Sequence, residues 1–162
     1  IEGDLLDNTD WVGFPALTDL LQLIPARQVL VVADSCFAGK LSRSTIGQLA
    51  ADLPDQTRTT LLQEMAERRI RTALTSGGAK PVLDDGGEGH SLFATAFINI
   101  LSENTAPLET ERLFWAVRAR VMQTAERMKF EQVPTYAPIH MAGHEGFGDF
   151  VFVPVAHPGN TK

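Results

Sequence analysis

The chain has little of what secreted, membrane-spanning and nucleic-acid-binding proteins depend on. Its single cysteine excludes an internal disulfide framework and leaves no second thiol for a zinc site, and it favours a reducing, cytoplasmic environment. No apolar run approaches the ~20 residues that a transmembrane helix needs. The net charge of −6 argues against the clustered Lys and Arg of a nucleic-acid surface. We therefore expect neither a membrane nor a nucleic acid as a partner.

What is present suffices for one folded domain. The chain has 162 residues, of which 44% are hydrophobic, enough for one core and too few to require two. It begins with Ile1 and Glu2, which resemble neither a signal peptide nor a natural start, so we expect a soluble chain that is truncated at its N-terminus. We assign residues 1–154 to the domain and residues 155–162 to a tail.

Hydrophobic periodicity predicts an alternation of helices and strands. The predicted helices cover 15–24, 60–69, 91–101 and 110–128, and the predicted strands cover 28–33, 71–76 and 149–153. The uninterrupted aliphatic run at 28–33 is typical of a central parallel strand buried on both faces. Thr60 with Gln63 forms a capping box, and Ser91 is a second N-cap candidate. Residues 40–58 predict an exposed loop, and the prolines and glycines after residue 133 predict irregular structure. The alternation indicates an α/β fold with a mostly parallel sheet covered on both faces.

Asp34 and Cys36 follow the first predicted strand at its carboxyl end, which is where open α/β sheets bind ligands. Side chains two apart on a strand share a face, so we expect these two about 6 to 7 Å apart on the same side. As the only thiol, Cys36 is the candidate nucleophile.

Asp34 is not expected to activate the thiol. At that distance a carboxylate would disfavour the thiolate by roughly 1 to 2 kcal/mol, for an effective dielectric of ~20 or above. In a peptidase, the substrate side chain beside the scissile carbonyl must lie close to the sulfur, and a basic one would be held by a carboxylate. We interpret Asp34 as a pocket residue for Arg or Lys, with a turn cap at the strand end as the alternative.

The thiol also needs a base, because a free cysteine is only a few per cent thiolate at neutral pH. The histidines are His90, His140, His144 and, in the predicted tail, His157. His90, before the helix that Ser91 caps, is the best local candidate, with a role in helix initiation as its alternative. His140 and His144 have the spacing of metal ligands on a helix, but Pro138 and Gly143 argue against a helix there.

Three segments of the chain carry longer motifs. They are residues 29–39 (Val-Leu-Val-Val-Ala-Asp-Ser-Cys-Phe-Ala-Gly), residues 75–93 with Thr-Ser-Gly-Gly and Gly-His-Ser-Leu-Phe, and residues 142–154 with Ala-Gly-His-Glu-Gly and Asp-Phe-Val-Phe-Val-Pro. In this order they resemble the nucleophile strand, the following strand and loop, and the closing segment of the caspase-like cysteine peptidases. Within that family the resemblance is to the bacterial and metacaspase-type branch, whose nucleophile motif is Asp-Ser-Cys-x-x-Gly.

The resemblance implies a fold, an activity and a set of residues. The fold is a three-layer α/β/α sandwich, and the activity is that of an endopeptidase with a Cys-His dyad. Cys36 would be the nucleophile, and its backbone N–H would contribute to the oxyanion hole. Asp34 would line an acidic pocket for the Arg or Lys of a peptide or protein substrate, and Ser76 would border the substrate cleft.

The expected position of the catalytic histidine departs from what this chain contains. In the caspase pattern it precedes the cysteine by ~50 residues, which falls before Ile1. We therefore expect the base to come from an N-terminal part of the same enzyme. The alternative is an inactive relative that serves as a regulatory or interaction module.

Two further classes of function have weaker support. These are a doubly wound nucleotide-binding domain and a thiol-redox domain, but the chain has neither a Gly-x-Gly-x-x-Gly turn nor a Cys-x-x-Cys pair.

No cofactor is expected; calcium at the acidic residues Asp84, Asp85 and Glu88 is a weaker interpretation than a solvated turn. In an active enzyme, self-cleavage would be expected in the predicted loop, whose basic residues include Lys40, Arg43 and Arg58.

Overall fold

A computed structural model describes residues 14–34, 54–77 and 89–155. Its elements in chain order are α1 (Phe14–Leu23), β1 (Gln28–Ala33), α2 (Asp55–Glu67), β2 (Ile70–Thr75), α3 (Leu92–Glu103), β3 (Leu108–Glu109), α4 (Thr110–Arg127), β4 (Thr135–Pro138) and β5 (Val151–Phe152). The fold is mixed α/β, with helices and a small mixed sheet. Within the described ranges, no helix is both long and apolar enough to cross a membrane.

The main sheet has the strand order β1-β2-β4. β1 and β2 are parallel and in register from Gln28 opposite Ile70 to Ala33 opposite Thr75. β4 is antiparallel to β2, with Thr135 opposite Thr75. β3 and β5 form a separate antiparallel pair. The carboxyl ends of β1 and β2 therefore lie side by side at one edge of the sheet.

In the described part of the sheet β2 is the middle strand, whereas the sequence predicts a central position for β1. All six residues of β2 are buried, whereas those of β1 are mostly half-buried and Val32 is 42% exposed. In the described sheet, β1 lies at one side with β2 as its neighbour. An aliphatic run reports that a strand packs against apolar surfaces, but not how many strands pair with its edges.

The segment after residue 133 also differs from its predicted irregular course. Residues 135–138 form β4, and of the predicted strand at 149–153 only Val151–Phe152 is extended, paired with β3 outside the main sheet. Prolines are tolerated because Pro134 precedes β4 and Pro138 ends it. The ladder continues at Ile139, whose N–H donates to the Arg71 carbonyl at 2.8 Å.

Helix α2 begins five residues before the predicted capping box. Thr60 lies inside the helix, where its hydroxyl donates to the Gln56 carbonyl at 3.1 Å, so the capping-box prediction was wrong. Arg58 is likewise helical, and its guanidinium lies 2.7 Å from the Glu109 carboxylate. This ion pair joins residues that are remote in sequence, and the chain is helical from Asp55, within the segment 40–58 whose polar composition alone predicts a loop.

Alternate residues of the sheet pack into two apolar clusters, as the two faces of a pleated strand require. Leu74 and Leu30 belong to a cluster built mainly on α3 and α4. Ala73, Val29 and Val31 belong to a second cluster that includes Leu21 of α1. Helices therefore contribute to the core on both sides of β1 and β2.

A buried arginine joins α1 to the sheet. The Arg71 side chain is fully buried, and its guanidinium donates to the carbonyls of Leu21, Ile24, Ala26, Arg27 and Ile70 at 2.7 to 3.0 Å. Four of these carbonyls belong to the C-terminal turn of α1 and the connection to β1, where backbone acceptors lack helical partners. The buried charge is thereby satisfied, and the start of β1 is held beside the start of β2.

Candidate functional site

The carboxyl edge of the parallel pair brings Asp34 and Ser76 together. Each follows its strand directly, and the Ser76 N–H donates to the Ala33 carbonyl at 3.0 Å. The parallel register of β1 and β2 thus places these two residues side by side. Cys36, two residues beyond Asp34, lies outside the described residues.

The Ser76 side chain is buried. The residue is fully buried, and its hydroxyl has no hydrogen-bond partner in the described part of the chain. Its carbonyl accepts from the Gln132 side-chain amide at 3.0 Å, and the preceding Thr75 hydroxyl lies 2.8 Å from that of Thr135. The Ser76 hydroxyl is therefore buried at the carboxyl edge and is not presented at the surface.

Asp34 is exposed and is held by a neighbouring helix. The Ser91 hydroxyl donates to Asp34 Oδ2 and accepts from the Ala94 N–H at 2.9 Å, as an N-cap of α3. The N-terminus of α3 is therefore at the same edge as the ends of β1 and β2. The cap was predicted from sequence; the bond to Asp34 was not, because the two residues are 57 positions apart.

The described histidines fall into two locations. His90 precedes Ser91 and is exposed, so it lies beside the carboxyl edge. His144 is at the other end of β2, where its Nδ1 accepts from the Arg71 N–H at 3.2 Å and burial lowers its pKa. His140 directly follows the ladder residue Ile139 and is exposed at that same end. At ~3.3 Å per residue, Arg71 and Ser76 are about 16 Å apart, too far for His144 to serve a group beyond Asp34.

Other residues that the sequence singled out fall outside the described ranges. These are Lys40, Arg43, Asp84, Asp85, Glu88 and His157. Among the described residues, no three His, Cys, Asp or Glu side chains gather in a way that could hold a metal ion.

A buried carboxylate that sequence reasoning missed lies away from this edge. Asp149 is 2% exposed and accepts hydrogen bonds from the Tyr136 hydroxyl, from the Glu111 N–H at 2.7 Å and from the Phe150 N–H at 2.8 Å. Burial raises the pKa of Asp149 to about 6. Burial and the nearby Asp149 carboxylate both raise the pKa of Tyr136. The Asp149 carbonyl accepts from the Gln28 side chain at 3.0 Å, which places this network near the start of β1. These hydrogen bonds join Tyr136 of β4 and Glu111 of α4 to Asp149 and Phe150, which precede β5.

An open groove of about 560 Å³ lies between α2, the C-terminal half of α3 and α4. Leu62, Ile100 and Leu113 line it together with Arg58 and Arg112. The α3 residues in its lining are at the opposite end of that helix from Ser91, so the groove is separate from the edge that carries Asp34.

Comparison of the chain with models of protein families, with curated proteins and with solved structures found no match. A function is therefore inferred from the chain's own residues and their geometry.

Proposed function

We propose that this chain is the nucleophile-bearing part of a caspase-like cysteine endopeptidase that cleaves peptide bonds after Arg or Lys. The observation that carries the proposal is the exposed Asp34 carboxylate at the carboxyl end of β1, beside the end of β2 and the start of α3. The only thiol of the chain follows two residues later. Open α/β sheets bind their ligands at this edge.

The proposal includes the three-layer α/β/α sandwich with a mostly parallel sheet. It is supported by the parallel pairing of β1 with β2 and by the two clusters that pack helices on both faces of these strands. A cytoplasmic location also belongs to the proposal, since a reducing environment keeps a lone nucleophilic thiol from oxidation.

In the proposed reaction, the Cys36 thiolate attacks the carbonyl carbon of the scissile bond. An imidazole takes the thiol proton and later transfers it to the leaving amine, which leaves an acyl-enzyme that water hydrolyses. The imidazole belongs to the N-terminal part of the enzyme. At ~4 Å an imidazolium stabilises the thiolate by up to about 4 kcal/mol at an effective dielectric of ~20, more than the opposing effect expected of Asp34.

Asp34 would select the substrate. A guanidinium or ammonium group beside the exposed carboxylate forms a charge-assisted hydrogen bond, whereas an acidic side chain at that position is repelled. Cleavage after Asp is therefore not expected. No cofactor takes part in this chemistry.

The test is covalent labelling of the full-length protein by a peptide that ends in Arg and carries a thiol-reactive electrophile. We expect one adduct per chain, located at Cys36 by peptide mapping and absent from Cys36→Ala. A probe with citrulline in place of Arg has nearly the same shape without the charge. Asp34→Asn should slow labelling by the arginyl probe roughly tenfold or more and change labelling by the citrulline probe little, because it removes a charge-assisted interaction.

Asp19→Asn provides the matched control, since Asp19 is an exposed carboxylate on α1. It should leave both labelling rates unchanged. An Asp34→Asn protein that keeps the full preference for the arginyl probe would contradict the pocket assignment. A folded full-length protein that neither probe labels would contradict the peptidase and favour a catalytically inactive caspase-like module.

A further inference from the structure

The Ser91 hydroxyl takes part in two hydrogen bonds at once. It accepts from the Ala94 N–H at 2.9 Å, which satisfies a free amide in the first turn of α3. Its own proton is donated to Asp34 Oδ2. A hydroxyl has a single proton, so this geometry commits it to the carboxylate.

Helix capping alone does not need the second of these bonds. An N-cap residue only has to offer an acceptor or leave the amides to water, and glycine is almost as good as serine at this position. The donated proton therefore contributes something beyond the stability of α3. It connects the end of β1 to the start of a 12-residue helix whose positive N-terminal end favours a nearby anion.

The bond also distinguishes the two oxygens of the carboxylate. Oδ2 is held by Ser91, and no other described residue forms a hydrogen bond to the Asp34 carboxylate. An exposed aspartate one residue beyond a strand would otherwise sample several side-chain rotamers. This bond restricts the rotamers of the Asp34 side chain, and among the described residues none occupies Oδ1.

We propose that Ser91 is a positioning residue for Asp34, which orients this carboxylate to receive the cationic side chain of a substrate. The inference rests on the proposed function, because it assumes that Asp34 binds Arg or Lys. It adds a residue outside the nucleophile strand that sets the strength of the preference for a basic side chain. Ser91 itself does not touch the scissile bond.

The experiment measures binding, so that it does not depend on catalysis. The full-length protein carrying Cys36→Ala is titrated calorimetrically with an arginyl peptide and with the same peptide containing citrulline. The quantity of interest is the ratio of the two affinities. Ser91→Gly should lower this ratio roughly tenfold, the effect of one hydrogen bond to a charged group, while keeping a competent N-cap. Ser91→Thr should restore the ratio, because threonine keeps the hydroxyl.

Ser102→Ala is the matched control. It removes a serine hydroxyl from the other end of α3, where Ser102 donates to the Ile98 carbonyl at 2.9 Å, and it should leave the affinity ratio unchanged. A loss of helix stability alone would weaken both peptides equally and leave the ratio in Ser91→Gly intact.

The outcomes separate this inference from the proposed function. An arginine preference that Asp34→Asn abolishes but Ser91→Gly preserves would overturn the role of Ser91 and leave the pocket assignment standing. Absence of any arginine preference in the parent protein would overturn both. An equal ratio in Ser91→Gly and Ser91→Thr would also refute the role of the hydroxyl.

Discussion

The hydrogen bond from Tyr136 to the buried Asp149 carboxylate should stabilise the fold in a pH-dependent way. Burial raises the pKa of Asp149 to about 6 from an ordinary value of 3.8. The folded state therefore keeps this proton to a higher pH than the unfolded chain does. The stability that the folded protein gains by keeping the Asp149 proton is fully present below pH ~4. It is lost as the pH rises to about 6, by roughly 3 kcal/mol for about two pKa units. At neutral pH the carboxylate is charged and depends on its three donors.

Tyr136→Phe removes one of these donors and changes little else, because the ring remains packed beside Phe114 at a centroid distance of 5.8 Å. At pH 7.5 the lost bond is to a charged group, and we expect the free energy of unfolding to fall by about 1.5 to 3 kcal/mol. At pH 5 the carboxyl group in the folded protein is protonated, and the expected loss is about 0.5 to 1.5 kcal/mol. Glu109 and Glu111 are the acidic neighbours, and the charge of Glu109 acts to raise the pKa of Asp149 further.

The assay is urea unfolding followed by tryptophan fluorescence at pH 5 and pH 7.5, with the change in the free energy of unfolding taken at each pH. Thr75→Val serves as the control, because it removes a buried hydroxyl that is bonded to the neutral Thr135 at 2.8 Å. Its effect should be about the same at both pH values. A Tyr136→Phe protein that loses equal stability at pH 5 and pH 7.5, or none at pH 7.5, would show that the carboxylate is not charged and buried as described.

Three further predictions concern the backbone, the buried arginine and self-processing. Gly148→Ala should destabilise the fold by about 1 to 3 kcal/mol in urea unfolding, because a Cβ there would overlap the Cδ1 methyl group of Ile70, whereas Gly146→Ala, which meets open space, should have little effect. Arg71→Met should cost at least about 3 kcal/mol in the same assay, since it removes five hydrogen bonds to backbone carbonyl groups, and a loss below 1 kcal/mol would contradict their burial. If the enzyme processes itself, intact mass after incubation should show fragments that end at Lys40 or Arg43; identical fragments from a variant without the nucleophile would rule this out.

Arg58 is not among these expected cleavage sites, although it belongs to the loop predicted from the sequence. It lies within α2, and its side chain is 22% exposed and paired with Glu109. A peptidase needs an extended substrate, and a helical residue in an ion pair does not offer one.

The elements that the sequence predicted well are those with strong local signals. The bounds of α1, β1, β2 and α4 agree within one or two residues, because apolar periodicity and strand-like runs are properties of the segment itself. The Ser91 cap was also found, since a capping serine and the first turn of its helix are adjacent in sequence. The juxtaposition of Asp34 and Ser76 was not predicted, because it depends on β1 and β2 being neighbours in the sheet.

The sequence by itself determined the mixed α/β pattern and the residues that end each parallel strand, because both depend on side chains close together along the chain. Only the tertiary structure decided the central position of β2, the strand at 135–138, the early start of α2 and the bond between Ser91 and Asp34. Each of these involves residues that are far apart in sequence; Arg58 of α2, for example, pairs with Glu109. Local propensity cannot report such partners, because the chain brings them together only after its helices have packed against the sheet.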